Sequence, residues 1–69
     1  MEINTNGKIV EVADNLTITE LLRELKVENP EYVSVEHNGE ILDRQKFSTT
    51  VVTEGDNVEF LYYMGGGGR

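Results

Sequence analysis

Asn57-Val58-Glu59-Phe60-Leu61-Tyr62-Tyr63-Met64 contains the longest unbroken run of large apolar residues in the chain, Phe60 to Met64, and leads straight into Gly65-Gly66-Gly67-Gly68-Arg69. In an extended strand Val58, Phe60 and Tyr62 fall on one face and Leu61 and Tyr63 on the other. A strand apolar on both faces is expected at the centre of a sheet. The alternative is that Leu61 and Tyr63 stay exposed as a contact patch.

The glycines set the end of the folded part. Glycine loses the most backbone entropy on ordering and has no side chain to bury, so four in succession are expected to form a free arm. Residues 1–63 therefore read as one domain and 64–69 as a flexible glycine-rich tail. Extended, Gly65 to Arg69 would reach roughly 17 Å, at about 3.3 Å per residue. Without Cβ atoms such an arm can thread a narrow channel and offer its terminal carboxylate to another protein. The plain alternative is a linker without function.

Working outward, Thr53-Glu54-Gly55-Asp56 makes the turn into this strand. Asn6-Gly7 and Asn38-Gly39 each supply the positive φ pair of a type I′ hairpin turn. The first joins strands over Met1–Thr5 and Lys8–Val12, with Thr5 facing Lys8, Ile3 facing Val10 and Met1 facing Val12. Glu2 and Glu11 then meet on the opposite, wet face, where Ile9 is an apolar exception. The second joins Tyr32–His37 to Glu40–Asp43, with Val35 facing Leu42 and Val33 continuing the inner row.

Thr17-Ile18-Thr19-Glu20 has the form of a capping box and starts a helix. Ile18, Leu21, Leu22 and Leu25 follow at i, i+3, i+4 and i+7, a stripe that faces a core rather than a partner. Asn29-Pro30 marks the turn after it. Arg44–Thr50 reads as irregular, with Phe47 as its anchor. His37 reads as an exposed loop-edge residue, because no nucleophile or ligand set accompanies it.

Hairpin, helix, hairpin, connection and strand give one mixed sheet covered by one helix. The helix can pack on only one face, and the doubly apolar strand belongs in the middle, parallel to the first. The expected fold is α+β, a β-grasp with strand order 2-1-5-3-4, from whose centre the tail emerges.

Composition narrows the function classes. Sixty-nine residues leave no room for a deep cleft, and a domain of this size buries only about 60% of its unfolded surface. The absence of cysteine excludes disulfides, thiolate metal sites and thiol nucleophiles, and suits a cytoplasmic protein. Neither a signal peptide nor a spanning helix is apparent. Thirteen acidic against six basic residues give a net charge of -7, which disfavours nucleic acid and anionic membranes. The excess carboxylates serve solubility or docking to basic protein surfaces.

The whole chain resembles the small ubiquitin-like sulfur carriers, and among them the ThiS carriers of thiamine biosynthesis. The pieces that carry the resemblance are Thr17-Ile18-Thr19-Glu20-Leu21-Leu22, His37-Asn38-Gly39-Glu40-Ile41-Leu42 with Arg44, Gly55-Asp56-Asn57-Val58-Glu59, and the glycine end. Their force lies in order and spacing. The resemblance implies a carrier that is not itself an enzyme and binds no cofactor or metal. Its terminal carboxylate is adenylated with ATP by a separate E1-like adenylyltransferase of the ThiF type. A sulfur donor such as a cysteine desulfurase then supplies the thiocarboxylate, and a thiazole synthase of the ThiG type receives the sulfur. Carried over by position, the family's terminal Gly-Gly pair falls on Gly67 and Gly68, within the tail Gly65, Gly66, Gly67 and Gly68, so Gly68 is the expected adenylation and thiocarboxylate site. Family members usually stop at that pair, whereas Arg69 follows here, so its removal is expected before the carrier works.

Within carriers the rival is a MoaD-like small subunit of molybdopterin synthase. From other classes come a ubiquitin-like modifier joined to lysines and a binding domain with a silent tail. In all of these the outward positions Ile9, Ile41, Leu61 and Tyr63 form the expected partner-docking surface, the alternative being ordinary scattered surface apolars.

Overall fold

The two Asn-Gly turns fix the registers of the two hairpins. In the computed structural model, which describes residues 1–62, β1 (Glu2–Thr5) pairs antiparallel with β2 (Lys8–Glu11) as Thr5↔Lys8, Ile3↔Val10 and Glu2↔Glu11. Asn6 and Gly7 have φ of 50° and 83°, as a type I′ turn requires. Past the strand ends, the Val12 amide still donates to the Met1 carbonyl at 2.8 Å. Asn38 and Gly39 repeat the conformation at 53° and 89°, between β3 (Val33–His37) and β4 (Glu40–Ile41). β4 is shorter than the expected Glu40–Asp43, although the Leu42 amide donates to Val35 and keeps those two residues opposite each other.

Thr17 caps α1 (Ile18–Glu24) with both halves of the capping box formed, Glu20 N to Thr17 Oγ1 at 3.2 Å and Thr17 N to Glu20 Oε1 at 2.9 Å. Ile18, Leu21 and Leu22 are buried, and Leu25 is partly buried against the same core. The helix ends in a Schellman motif, with Lys26 N donating to Arg23 O and Val27 N to Leu22 O. Lys26 occupies the position of this motif where glycine is preferred and has a φ of 57°. A side chain in that conformation costs on the order of 1 kcal/mol. Two three-residue helical turns, Pro30–Tyr32 and Arg44–Lys46, replace the bare turn and part of the irregular connection expected from sequence. Phe47 anchors the second as expected, 6% exposed, and the Arg44 guanidinium lies 5.1 Å from its ring centroid.

β5 (Asn57–Tyr62) runs parallel to β1 and antiparallel to β3, and the sheet order is β2-β1-β5-β3-β4, the β-grasp arrangement. Ile3, Val33, Val35, Val58 and Phe60 face α1 and close the core with Ile18, Leu21, Val52 and Phe47. Only this face of β5 is covered. Leu61 is 37% exposed on the other face, and Tyr62, expected in the inner row, is 48% exposed beyond Phe60. β5 is therefore central by pairing without being buried on both sides. Tyr63 and residues 64–69, where the expected boundary between domain and tail falls, lie outside the described residues.

Candidate functional site

β5 is the strand that leads to the glycines, and both hairpin turns hold it. Asn6 keeps its backbone in the first turn while its side-chain Oδ1 accepts from the Phe60 amide at 2.9 Å. From the other side, Asn38 Oδ1 accepts from the Asn57 amide at 2.8 Å, and the Asn38 amide donates to the Asn57 carbonyl at 2.7 Å. Each turn asparagine thus sets a tight turn and ties the neighbouring strand.

Asp56, the residue before β5, gathers a second set of bonds. Its carboxylate accepts from the Thr53 amide at 2.9 Å, the Thr53 hydroxyl at 3.0 Å and Asn38 Nδ2 at 3.2 Å, and it lies 2.8 Å from His37 Nε2. His37 is thus half-buried and bonded, not the exposed loop-edge residue expected from sequence; its side chain is 21% exposed. Partial burial pushes the Asp56 carboxyl up, but the bonds from Thr53, His37 and Asn38 outweigh this and hold it at about 2, below its ordinary 3.8. A depressed carboxyl adds stability above its unfolded pKa and loses it as pH falls through the folded one. With Asp56 only 12% exposed, that contribution is about 2 kcal/mol. The stability advantage of the parent over Asp56→Asn, read from urea midpoints, is expected to narrow as pH drops from 4 to 2. An advantage unchanged over that window would exclude the carboxylate as its source.

The outward sheet face carries the expected docking residues. Ile9 stands beside Asn4 on β1, Leu61 beside Ser34 on β3, and Ile41 beside Glu36, which itself faces Glu59 on β5. Ile9 and Ile41 are 66% and 64% exposed. All three share one face, but they occupy β2, β5 and β4 in three successive rows. With strands about 4.8 Å apart, Ile9 and Ile41 are separated by roughly 19 Å. They do not form one apolar patch; polar side chains stand between them. Two like-charge pairs, Glu2↔Glu11 and Glu36↔Glu59, share this face, an arrangement unfavourable in the isolated domain. Tyr63, the fourth docking residue expected, and Gly65, Gly66, Gly67 and Gly68, with the expected adenylation site at Gly68, lie outside the described residues.

Sequence reasoning missed the roles of Asn6, Asn38 and Asp56 toward β5. The turn signals were present, but their side-chain bonds depend on which strand lies next to each turn. Among the described residues no group of three or more acidic or histidine side chains could hold a metal ion, and no helix is long and apolar enough to cross a membrane.

A mixed β-grasp sheet with its last strand clamped at the centre defines the class, a ubiquitin-like domain. The chain belongs to the ThiS family, whose model matches residues 1–67, and members of that family are small sulfur carriers of thiamine biosynthesis. It is similar to a crystal structure of the thiamine biosynthesis protein ThiS from Geobacter metallireducens, with 55% identity and a TM-score of 0.88, covering 97% of this chain and 100% of that one. A solution structure of a thiamine biosynthesis protein from the same organism gives 54% identity and a TM-score of 0.78, covering 97% and 88%. It is also 33% identical over 67 residues to a protein of Paramagnetospirillum magneticum named thiazole synthase. That match takes in 97% of this chain and 20% of the relative, so the chain spans about a fifth of that protein's length.

Proposed function

We propose that the chain carries sulfur to thiazole formation on the carboxylate of Gly68, which is set free when the Gly68–Arg69 peptide bond is hydrolysed. The observation that supports this most is the family match, which continues through the domain into the glycine run as far as residue 67. The carboxylate is activated as an acyl-adenylate, with pyrophosphate leaving ATP; a persulfide sulfur then displaces AMP to give an acyl disulfide, and a second thiol cleaves its S–S bond, forming a disulfide with the donor sulfur and releasing the thiocarboxylate. A ThiF-type adenylyltransferase performs the first step, a donor such as a cysteine desulfurase feeds the second, and a ThiG-type thiazole synthase accepts the sulfur, all in the cytoplasm. The relative named thiazole synthase, which contains a segment like this chain, favours that acceptor. The domain contributes positioning: β5, held by Asn6 and Asn38, is the strand before the tail, and the outward face with Ile9, Ile41 and Leu61 docks the adenylyltransferase.

The test is a chain ending at Gly68, incubated with ATP, the adenylyltransferase and a sulfur donor, and followed by intact mass. Exchange of one oxygen for sulfur adds about 16 Da, a difference set by atomic masses. Leu61→Asp, folded by circular dichroism, is expected to slow the gain about tenfold by placing a charge in the contact. No gain on the parent overturns the carrier function; a parent-like rate for Leu61→Asp overturns the docking surface alone.

A further inference from the structure

On the helix side of the sheet, away from the outward face, α1 and the segment after it enclose a groove of about 390 Å³ lined by Thr19, Leu22, Arg23, Lys26, Val27 and Pro30. Leu22, Val27 and Pro30 give it apolar walls, and Arg23 and Lys26 are exposed. Among the described residues neither cation is in an ion pair. The helix carboxylates nearest in sequence are committed elsewhere, Glu20 to the Thr17 amide and Glu24 to the Ala13 amide. Glu28 and Glu31 lie close by in sequence, but the groove lining itself carries two cations and no carboxylate. Lys26 also holds its side chain there from a left-handed backbone position that glycine would occupy without strain.

We propose that this groove docks a segment of a partner protein that combines apolar side chains with carboxylates. The apolar side chains meet Leu22, Val27 and Pro30, and the carboxylates meet Arg23 and Lys26. Charge complementarity selects the occupant: a lining with two cations and no carboxylate favours a segment bearing carboxylates over one bearing lysines. Because groove and outward face lie on opposite sides of the sheet, both can be occupied at once. The ordinary role for two cations at a helix C-terminus is to complement the helix dipole, and the two roles predict different behaviour for Lys26→Gly. A dipole role alone leaves peptide binding untouched. A docking role weakens it, and relief of the left-handed strain acts on the melting temperature under either role.

The experiment titrates the full 69-residue chain, labelled for amide NMR, with a short peptide alternating leucine and glutamate, the same peptide with lysine for glutamate, and inorganic phosphate. The expected result is saturable shifts at the Thr19, Arg23, Lys26 and Val27 amides with the glutamate peptide, at least tenfold weaker binding of the lysine peptide, and no matching response to phosphate. Arg23→Gln and Lys26→Gly are each expected to weaken the glutamate peptide at least threefold, with Lys26→Gly melting above the parent. Unmoved groove amides, equal response to both peptides, or the same shifts from phosphate alone would each overturn the proposal.

Discussion

A chain ending at Gly68 is expected to form thiocarboxylate on the order of a hundredfold faster than the chain that retains Arg69, a loss of the size that follows from misplacing a reacting group by about 1 Å. In the proposed reaction, adenylation would bring the terminal carboxylate in line with the α-phosphate of ATP in a confined site. With glycine at the end, the atom next to the reacting carbon carries only hydrogens. Arginine puts a long, permanently charged side chain at that atom. Its guanidinium can pair with a phosphate, so binding can survive while in-line geometry is lost. Single-turnover mass measurements on the two chains, at saturating adenylyltransferase, separate the rate from the affinity. Equal rates with Arg69 still attached would sink this expectation.

Leu21→Ala is expected to remove most of the stability of the domain. Leu21 is fully buried in the core cluster beneath the sheet, and truncating a buried leucine costs about 2–5 kcal/mol through lost transfer energy and the cavity left behind. A chain of this length has only about 3–10 kcal/mol in hand, at roughly 0.05–0.15 kcal/mol per residue. At about 4–8 °C per kcal/mol for domains of this size, the melting temperature should fall by at least about 10 °C. Leu21→Met keeps the volume and should cost less than about 1.5 kcal/mol. A thermal scan by circular dichroism decides. A Leu21→Ala midpoint within a few degrees of the parent would mean that the core is not organised around α1.

What could be read in the sequence is what short-range chemistry determines. Asn6-Gly7 and Asn38-Gly39 specify their turns because two successive positive φ values admit few residues, and a two-residue loop then leaves one register. Thr17 and Glu20 specify the start of α1 because their side chains satisfy orphan amides three residues apart. The sheet order followed from those elements together with the apolar final strand. Contacts made only after folding were out of reach: His37 meets Asp56 nineteen residues away, and Asn6 reaches Phe60 across fifty-four. Lys26 in a left-handed conformation breaks the glycine rule that sequence reading applies to helix ends. Exposed Leu61 shows the limit of periodicity, which reports that a face is apolar and not whether anything covers it. The separation of Ile9, Ile41 and Leu61 was implicit in strand order 2-1-5-3-4, yet matching their faces without their rows made them look like one patch.

The clamping of β5 also has a mechanical meaning. A partner engaging the tail in the proposed function would apply a pull along the axis of β5. The bonds to antiparallel β3 run across that axis, and so does the tie from Asn6 to Phe60 on the β1 side. Traction therefore loads them together in shear instead of peeling them one at a time. The resistance is two-sided, with β1 on one flank and β3 on the other. In the proposed function, a pull on the terminus would be shared between both flanks of β5 rather than borne by one bond at a time.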